Sequence, residues 1–259
     1  MEEFITRFSV FLLVFVRVSA FFVTMPLFSY RTLPSLFRIG LAFFVSVLMY
    51  ASVYQGTIDI NAAYFLLMLK EAAVGLFIGF IAYMVLTSIQ VAGNFIDFQM
   101  GFAIANIIDP QTGVQSPLIG QYLYIFSLLL LLAVDGHHML LNGIFYSYQF
   151  IPLDQASFGF ANANLAEYIA KSFSMLFLIA FQISVPVVAV LFLVDVALGI
   201  VARTVPQMNV FVVGFPIKIA VSFIVLFIVM GVIFGVIQQL FETMGQVMRD
   251  VMEMLGSQS

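Results

Sequence analysis

Three long stretches of this chain contain no charged side chain, because residues 72–96, 172–194 and 219–241 lack Asp, Glu, Lys and Arg. A helix rises about 1.5 Å per residue, so roughly 20 apolar residues cross the ~30 Å hydrocarbon core of a bilayer. Each stretch is therefore long enough to span a membrane. The few charges lie in or near short polar breaks. This pattern predicts an all-α, polytopic membrane protein.

Composition supports this prediction and excludes several function classes. With 63% hydrophobic and 8% charged residues, a water-soluble fold would lack enough polar surface to cover itself. The net charge of −4 is dispersed, and no Lys/Arg cluster could follow a phosphate backbone, so nucleic acid is not an expected partner. Cysteine is absent, which excludes disulfides and thiolate metal sites. We expect one membrane domain over residues 1–259.

Polar breaks divide the chain into seven apolar segments. The third would be about 50 Å long as one helix, well beyond a single membrane thickness, so it must tilt, bend or leave the bilayer. The fourth and fifth are too short to span comfortably, and they form either one interrupted helix or a short hairpin. The segments run over about 8–28, 39–54, 62–96, 122–134, 139–151, 165–200 and 217–241.

The breaks and the tail carry further structural predictions. Residues 93–121 are the least hydrophobic interior region and are expected to be loop or broken helix. Pro186 is expected to kink the sixth segment. The tail over 242–259 resembles a short amphipathic helix that frays at its end.

The densest polar cluster lies at the end of the overlong third segment. A carboxylate in an apolar setting is costly unless it is paired, so Asp97 is a candidate functional residue. It could be a proton or substrate site, or a polar contact that locks helices together. Alternatively, Asn94 and Asp97 satisfy free backbone groups at a helix end. The cluster comprises Gly93, Asn94, Asp97, Gln99, Met100 and Gly101.

A loop of turn-forming residues follows inside this apolar chain. At membrane depth such backbone is tolerated only where it is buried in protein or lines an aqueous cavity. The loop therefore suggests a gate or plug, with an ordinary loop outside the membrane as the alternative. It consists of Asn106, Ile107, Ile108, Asp109, Pro110, Gln111, Thr112, Gly113, Val114, Gln115, Ser116 and Pro117.

The sequence Asp135-Gly136-His137-His138 combines a carboxylate with two imidazoles, the groups of a proton relay or a metal site. Adjacent histidines on a helix point about 100° apart and rarely bind one ion. A capped helix break is therefore favoured, and no metal or cofactor is expected. Asp195 precedes Arg203 by about two helical turns, so an ion pair between them would require bending.

A last motif region extends from Arg203 to Lys218. Its prolines fix bends, and its amide side chains can bond peptide groups that those bends free. It is predicted to be a rigid turn that presents a surface to a partner, with a plain connecting loop as the alternative. The region includes Arg203, Pro206, Gln207, Asn209, Phe211, Gly214, Pro216 and Lys218.

Motifs of nucleotide-using enzymes and hydrolases are missing. The sequence contains no Gly-x-x-x-x-Gly-Lys-Ser/Thr, no His-Glu-x-x-His and no Gly-x-Ser-x-Gly. An enzyme is therefore not expected.

Taken together and in order, four motifs resemble the FliR family of flagellar biosynthetic proteins, over nearly the whole chain. They are Gly93-Asn94-x-x-Asp97-x-Gln99-Met100-Gly101, Asp109-Pro110, Asp135-Gly136-His137-His138, and Arg203-x-x-Pro206-Gln207-Met208-Asn209-Val210-Phe211-x-x-Gly214-x-Pro216-x-Lys218.

The resemblance implies a core, non-enzymatic subunit of the flagellar type III export gate, in the bacterial inner membrane at the flagellar basal body. Family members assemble as a single copy with several FliP and FliQ chains into a helical pore for unfolded flagellar substrates, close to FlhB and FlhA. Their helices form partly kinked hairpins that splay away from normal bilayer spanning. Their central loop plugs the closed pore, and this role carries over to Asn106–Pro117.

We hypothesise that the motif residues pack within or between subunits, and that Asp97, Gln99, Arg203 and Gln207 among them do so rather than transfer protons. The motif residues are Gly93, Asn94, Asp97, Gln99, Met100, Gly101, Asp135, His137, Arg203, Pro206, Gln207, Asn209, Phe211, Gly214, Pro216 and Lys218. One alternative is a small proton-coupled secondary transporter that uses Asp97 or Asp135. Another is a purely structural scaffold of the basal body.

Overall fold

A computed structural model describes residues 2–29, 33–53, 58, 60, 62–102, 117–155, 163–205, 207 and 209–256. Over these residues the regular structure consists of seven α-helices, which confirms the all-α prediction. Five are long and apolar enough to cross a membrane, and the fourth and fifth, taken as one broken span, would make a sixth. The helices are α1 (Glu2–Thr24), α2 (Ser35–Val53), α3 (Ala62–Met100), α4 (Leu118–Ala133), α5 (Gly136–Phe150), α6 (Ala163–Thr204) and α7 (Val210–Gly256).

Three of these helices are far longer than one membrane crossing requires. α3, α6 and α7 contain 39, 42 and 47 residues. At about 1.5 Å per residue they measure about 58, 63 and 70 Å, roughly twice the ~30 Å of hydrocarbon. The predicted excess length of the third segment is confirmed, and Pro186 lies inside α6.

Two segment boundaries differ from the sequence prediction. Residues 93–100 are helical and belong to α3, so the predicted loop or broken helix over 93–121 is wrong at its start. The polar side chains do not end the helix here, because Asp97 bonds backbone N–H groups of α4 and not those of its own helix. The tail is not a helix of its own, since α7 continues without interruption to Gly256.

The motif region from Arg203 to Lys218 is also not a single turn. α6 ends at Thr204 and α7 begins at Val210, so the connection spans only residues 205–209. Pro216 lies inside α7. A proline removes one helical hydrogen bond, but an apolar helix in lipid has few other partners for its backbone groups, which favours its continuation.

The chain divides into two compact units. The first comprises Met1–Val85, Leu132–Phe173 and Phe241–Ser259. Here α1 lies close to α3, because two glycines of α3 face it. A Cβ on Gly75 would collide with the backbone carbonyl of Arg17, and a Cβ on Gly79 would collide with the Thr24 hydroxyl. Larger residues at these glycines would push the helices apart.

The second unit comprises Leu86–Leu131 and Ser174–Leu240. Phe95 on α3 packs edge-on against Phe177 and Phe181 of α6, with ring centroids 5.9 and 6.1 Å apart. Much of α6 and α7 in this unit nevertheless exposes large apolar side chains. Among them are Phe192, Leu193, Ile224, Phe227 and Ile228.

Candidate functional site

A buried ionic cluster lies in the first unit, where Arg17 on α1 faces Lys70 and Glu71 on α3. Arg17 and Glu71 are fully buried, and Lys70 is 5% exposed. Arg17 donates from Nε and Nη2 to the two carboxylate oxygens of Glu71, with 3.0 Å between Nη2 and Oε1. Lys70 Nζ lies 2.8 Å from Glu71 Oε1. The buried Glu71 carboxylate therefore pairs with both cations.

Backbone carbonyls of the non-helical segment after α5 receive the remaining donors. Arg17 Nη2 donates to the carbonyl of Ile151 at 2.8 Å. Lys70 Nζ donates to the carbonyls of Pro152 at 2.6 Å and Gln155 at 3.0 Å. Irregular backbone in an apolar setting is stable only where protein groups satisfy it. The cluster therefore fixes this segment to α1 and α3.

Helix α5 completes the surroundings of the guanidinium. Arg17 Nη1 donates to Ser147 Oγ at 2.9 Å, and Arg17 Cζ lies 4.0 Å from the centre of the Tyr148 ring. The Tyr148 hydroxyl in turn donates to the carbonyl of Val14 at 3.3 Å. The arginine thus joins α1, α3 and α5 at one point, with a partner for each of its nitrogens.

This cluster was not predicted from the sequence. A signal existed, because an ionisable residue inside an apolar run is functional or structurally paired by default. Arg17 interrupts the first apolar run, and Lys70 and Glu71 stand together in the third. The sequence could not show that they meet, since Arg17 and Glu71 are 54 positions apart.

Asp97, the carboxylate that the sequence singled out, holds the start of α4 in the second unit. It is 3% exposed. Its Oδ1 accepts from the backbone N–H of Ile119 at 3.0 Å, and its Oδ2 accepts from that of Gly120 at 2.9 Å. These are among the first N–H groups of a helix, which have no partner inside it. The geometry is therefore that of a cap supplied by another helix.

Close contact between α3 and α4 accompanies this cap. A Cβ on Gly93 would collide with the backbone of Gly120, and a Cβ on Gly120 would collide with the Asn94 side-chain oxygen. Glycine is the only residue that fits such an approach without displacement. Gly93, Asn94 and Asp97 thus act together at one helix contact, as their spacing on one face of α3 allows.

Gln99, Asp195 and Lys218 form a second polar group in the same unit. Gln99 Nε2 donates to Asp195 Oδ2 at 2.9 Å, and Lys218 Nζ lies 2.7 Å from Asp195 Oδ1. The Lys218 side chain is 18% exposed and that of Asp195 is 39% exposed. The sequence suggested Arg203 as the partner of Asp195, but Asp195 forms its ion pair with Lys218 instead.

The start of the α6–α7 connection carries exposed polar residues. Arg203 lies in the last turn of α6, and Arg203, Gln207 and Asn209 are all exposed. The carbonyl of Asn209 accepts from the N–H of Val212 at 3.1 Å, which begins α7. Pro206 and the side chain of Phe211 lie outside the described residues.

Two glycines allow close contacts where α3 and α6 end and α7 begins. A Cβ on Gly214 would lie 2.9 Å from Leu198 Cδ1 of α6. Met100 is fully buried at the end of α3. Gly101 follows with a φ of 91°, where L side chains are strained, and a Cβ there would lie 3.1 Å from the Phe215 ring.

Asp135 lies at the break between helices α4 and α5. Its φ is 56°, a left-handed conformation that Asp adopts more readily than most residues. Its carbonyl accepts from the N–H of His138 at 3.0 Å, and its carboxylate makes no capping bond. One ligand atom from each of Asp135, His137 and His138 lies within 4.8 Å of the others. His137 and His138 are helical, so the break is shorter than expected.

The predicted plug loop falls almost entirely outside the described residues, since 103–116 are not among them. Pro117 is described, and its carbonyl accepts from the N–H of Gln121 at 2.9 Å. Phe102 at the other side of the loop packs against Phe215, with ring centroids 6.3 Å apart.

Comparison with known proteins identifies relatives along most of the chain. The pattern of the family described as "Bacterial export proteins, family 1" matches residues 8–244. The chain is 60% identical over 225 residues to the flagellar biosynthetic protein FliR of Bacillus subtilis (strain 168), covering 86% of this chain and 87% of that protein.

More distant relatives include a protein with a different name. FliR of Escherichia coli (strain K12) is 26% identical over 85% of this chain and 84% of its own. The Yop proteins translocation protein T of Yersinia pestis is 29% identical over 80% of each chain. Flagellar and Yop translocation proteins therefore share this sequence pattern.

Proposed function

The chain belongs to family 1 of the bacterial export proteins, which includes the FliR proteins, and from this membership we propose that it is a core, non-enzymatic subunit of the flagellar type III export gate. One copy assembles with FliP and FliQ chains around a pore in the inner membrane, at the flagellar basal body. FlhB and FlhA lie beside this pore. It passes unfolded flagellar substrates, and other components supply the energy.

The observation that carries the proposal is the 60% identity to FliR of Bacillus subtilis over 86% of this chain. A match of 225 residues extends over most of the chain and is not confined to one short motif. Because this relative is a flagellar protein, we assign the chain to flagellar export and not to the Yop type of translocation.

Helix length and exposure support a role inside a hetero-oligomer. α6 and α7 are each about twice as long as ~30 Å of hydrocarbon. Lipid can cover only part of their exposed apolar surface, and neighbouring helices of similar length would cover the rest. Leu36 and Leu48 on α2 are likewise 81% and 68% exposed, so α2 offers a further apolar face.

The plug assignment of Asn106–Pro117 remains part of this proposal. Its support is the way the loop is anchored in the second unit. Gly101 ends α3 with a φ of 91°, and Asp97, one turn earlier, bonds the N–H groups of Ile119 and Gly120 just after the loop. The described residues that flank the loop are thus held at the end of α3, which supports a fixed base for it.

Deleting residues 106–116 is expected to make membranes permeable to ions and small solutes, because the proposed plug would be gone while its helical base remains. Uptake of a small fluorescent solute by cells, with the purified complex assayed in parallel, measures this effect. The same deletion in cells without FliP is the control, and it should cause no leak because no pore assembles. Unchanged permeability with a correctly assembled complex would contradict the plug assignment.

A further inference from the structure

A cleft of about 770 Å³ lies between α5 and the C-terminal part of α7 in the first unit. Two facing rows of side chains form its rim. On each helix these residues recur at intervals of three or four, so they share one face. We call it the amide groove, and its rim residues are Asn142, Tyr146 and Gln149 on α5 and Glu242, Gln246 and Arg249 on α7.

Methionines and glycines form the floor of the amide groove in two reciprocal pairs. A Cβ on Gly143 of α5 would lie 2.6 Å from Met248 Cε of α7. A Cβ on Gly245 of α7 would lie 3.1 Å from Met139 Sδ of α5. Each helix thus sets a methionine on the other's glycine. Methionine is flexible and polarisable, so this floor can adapt to varied apolar groups.

The polar rim has unused hydrogen-bonding capacity. Asn142, Gln149, Glu242, Gln246 and Arg249 are exposed, and none of them has a hydrogen bond or ion pair among the described residues. Such side chains are costly against lipid, particularly the two charges. This part of the molecule must therefore face water or a polar partner, although the chain as a whole is apolar.

We propose that the amide groove binds an extended polypeptide segment passing through the export gate. Three of its rim residues are neutral amides, and each can donate to and accept from peptide groups, which every sequence carries. Glu242 and Arg249 are opposite charges about 10 Å apart along α7, so no single sign of charge is rejected. Methionine-rich surfaces bind varied partners because their flexible side chains can re-pack around each one.

This inference rests on the proposed function, since it assigns the contact with the exported chain to particular residues. It predicts a binding surface with little sequence preference, made by neutral amides and methionine. The occupant is an unfolded substrate in this assignment. A helix of a partner subunit or a lipid is the competing occupant that the experiment must separate from it.

Site-specific photo-crosslinking tests the assignment in intact cells. A photoreactive phenylalanine analogue replaces Gln246 or Gln149, while a flagellar substrate fused to a stably folded domain stalls in the gate. Phe227, which is 85% exposed in the second unit, serves as the control position. We expect crosslinks to the stalled substrate at Gln246 and Gln149 at least tenfold above those at Phe227. Crosslinks only to partner subunits or to lipid would overturn the assignment.

A paired variant supplies an independent measure. Replacing Asn142 and Gln246 together by leucine should lower export about threefold to tenfold, the equivalent of losing one or two hydrogen bonds. The amount of native complex should not change. The matched control is Glu167→Ala, which changes an exposed side chain of α6 outside the groove and should leave export unaltered. Unchanged export in the paired variant would overturn the assignment of the groove. If the unaltered chain never co-purified with FliP and FliQ, the proposed function itself would be refuted.

Discussion

Replacing Glu71 by alanine is expected to remove most of the folded protein from the membrane. Arg17 and Lys70 would then remain buried without the carboxylate that pairs with both of them. Removing one partner of a buried ion pair costs about 3–5 kcal/mol, a large part of the roughly 5–15 kcal/mol that stabilises a typical domain. Immunoblots of membrane fractions and thermal unfolding of the purified protein measure the loss.

The chain offers a matched control for this variant. Glu167 and Lys171 also form an ion pair, at 2.7 Å, but their side chains are 63% and 74% exposed. Water screens such a pair, so Glu167→Ala should leave the amount of protein and its unfolding temperature nearly unchanged. If Glu71→Ala were as well tolerated as Glu167→Ala, the cluster would not hold the first unit together.

Replacing Asp97 by alanine is expected to impair assembly before it impairs transport. The variant leaves the N–H groups of Ile119 and Gly120 buried without an acceptor. Each unsatisfied group costs about 1–3 kcal/mol, so the start of α4 should detach from α3. The amount of native complex and the export rate per complex are the two quantities to measure. We expect the first to fall severalfold and the second to change little.

Two further variants sharpen the Asp97 test. Asp97→Asn keeps one acceptor oxygen and should give an intermediate amount of complex, while Glu253→Ala removes an exposed carboxylate of α7 and should have no effect. A proton-coupling role for Asp97 makes the opposite prediction. Normal assembly with abolished export in Asp97→Asn would refute the packing role and favour a proton-coupled transporter.

The helices were predictable from the sequence because lipid imposes a simple rule on length and charge. Long charge-free runs must be helical, and α3, α6 and α7 follow this rule. Their ends were less predictable. Polar residues at 93–100 suggested a loop, but Asp97 satisfies the backbone of α4 and not that of its own helix. Pro216 suggested a turn, but it lies inside α7.

The candidate site was predictable only where its signal was local. Asp97 was recognised because it stands with glycines and amides in one short cluster. The partners of the other charges depend on contacts between distant segments. Asp195 meets Lys218 and not the nearer Arg203, and Arg17 meets Glu71 across 54 positions. Spacing along one helix carries no information about such pairings.

The first measurement to make is the native mass of the particle that contains this chain, extracted in mild detergent from cells that also produce its neighbours. Mass measurement of the intact particle gives both composition and copy number. We expect one copy of this chain in a large complex with FliP and FliQ chains. A lone monomer or a homodimer under the same conditions would contradict the export-gate assignment.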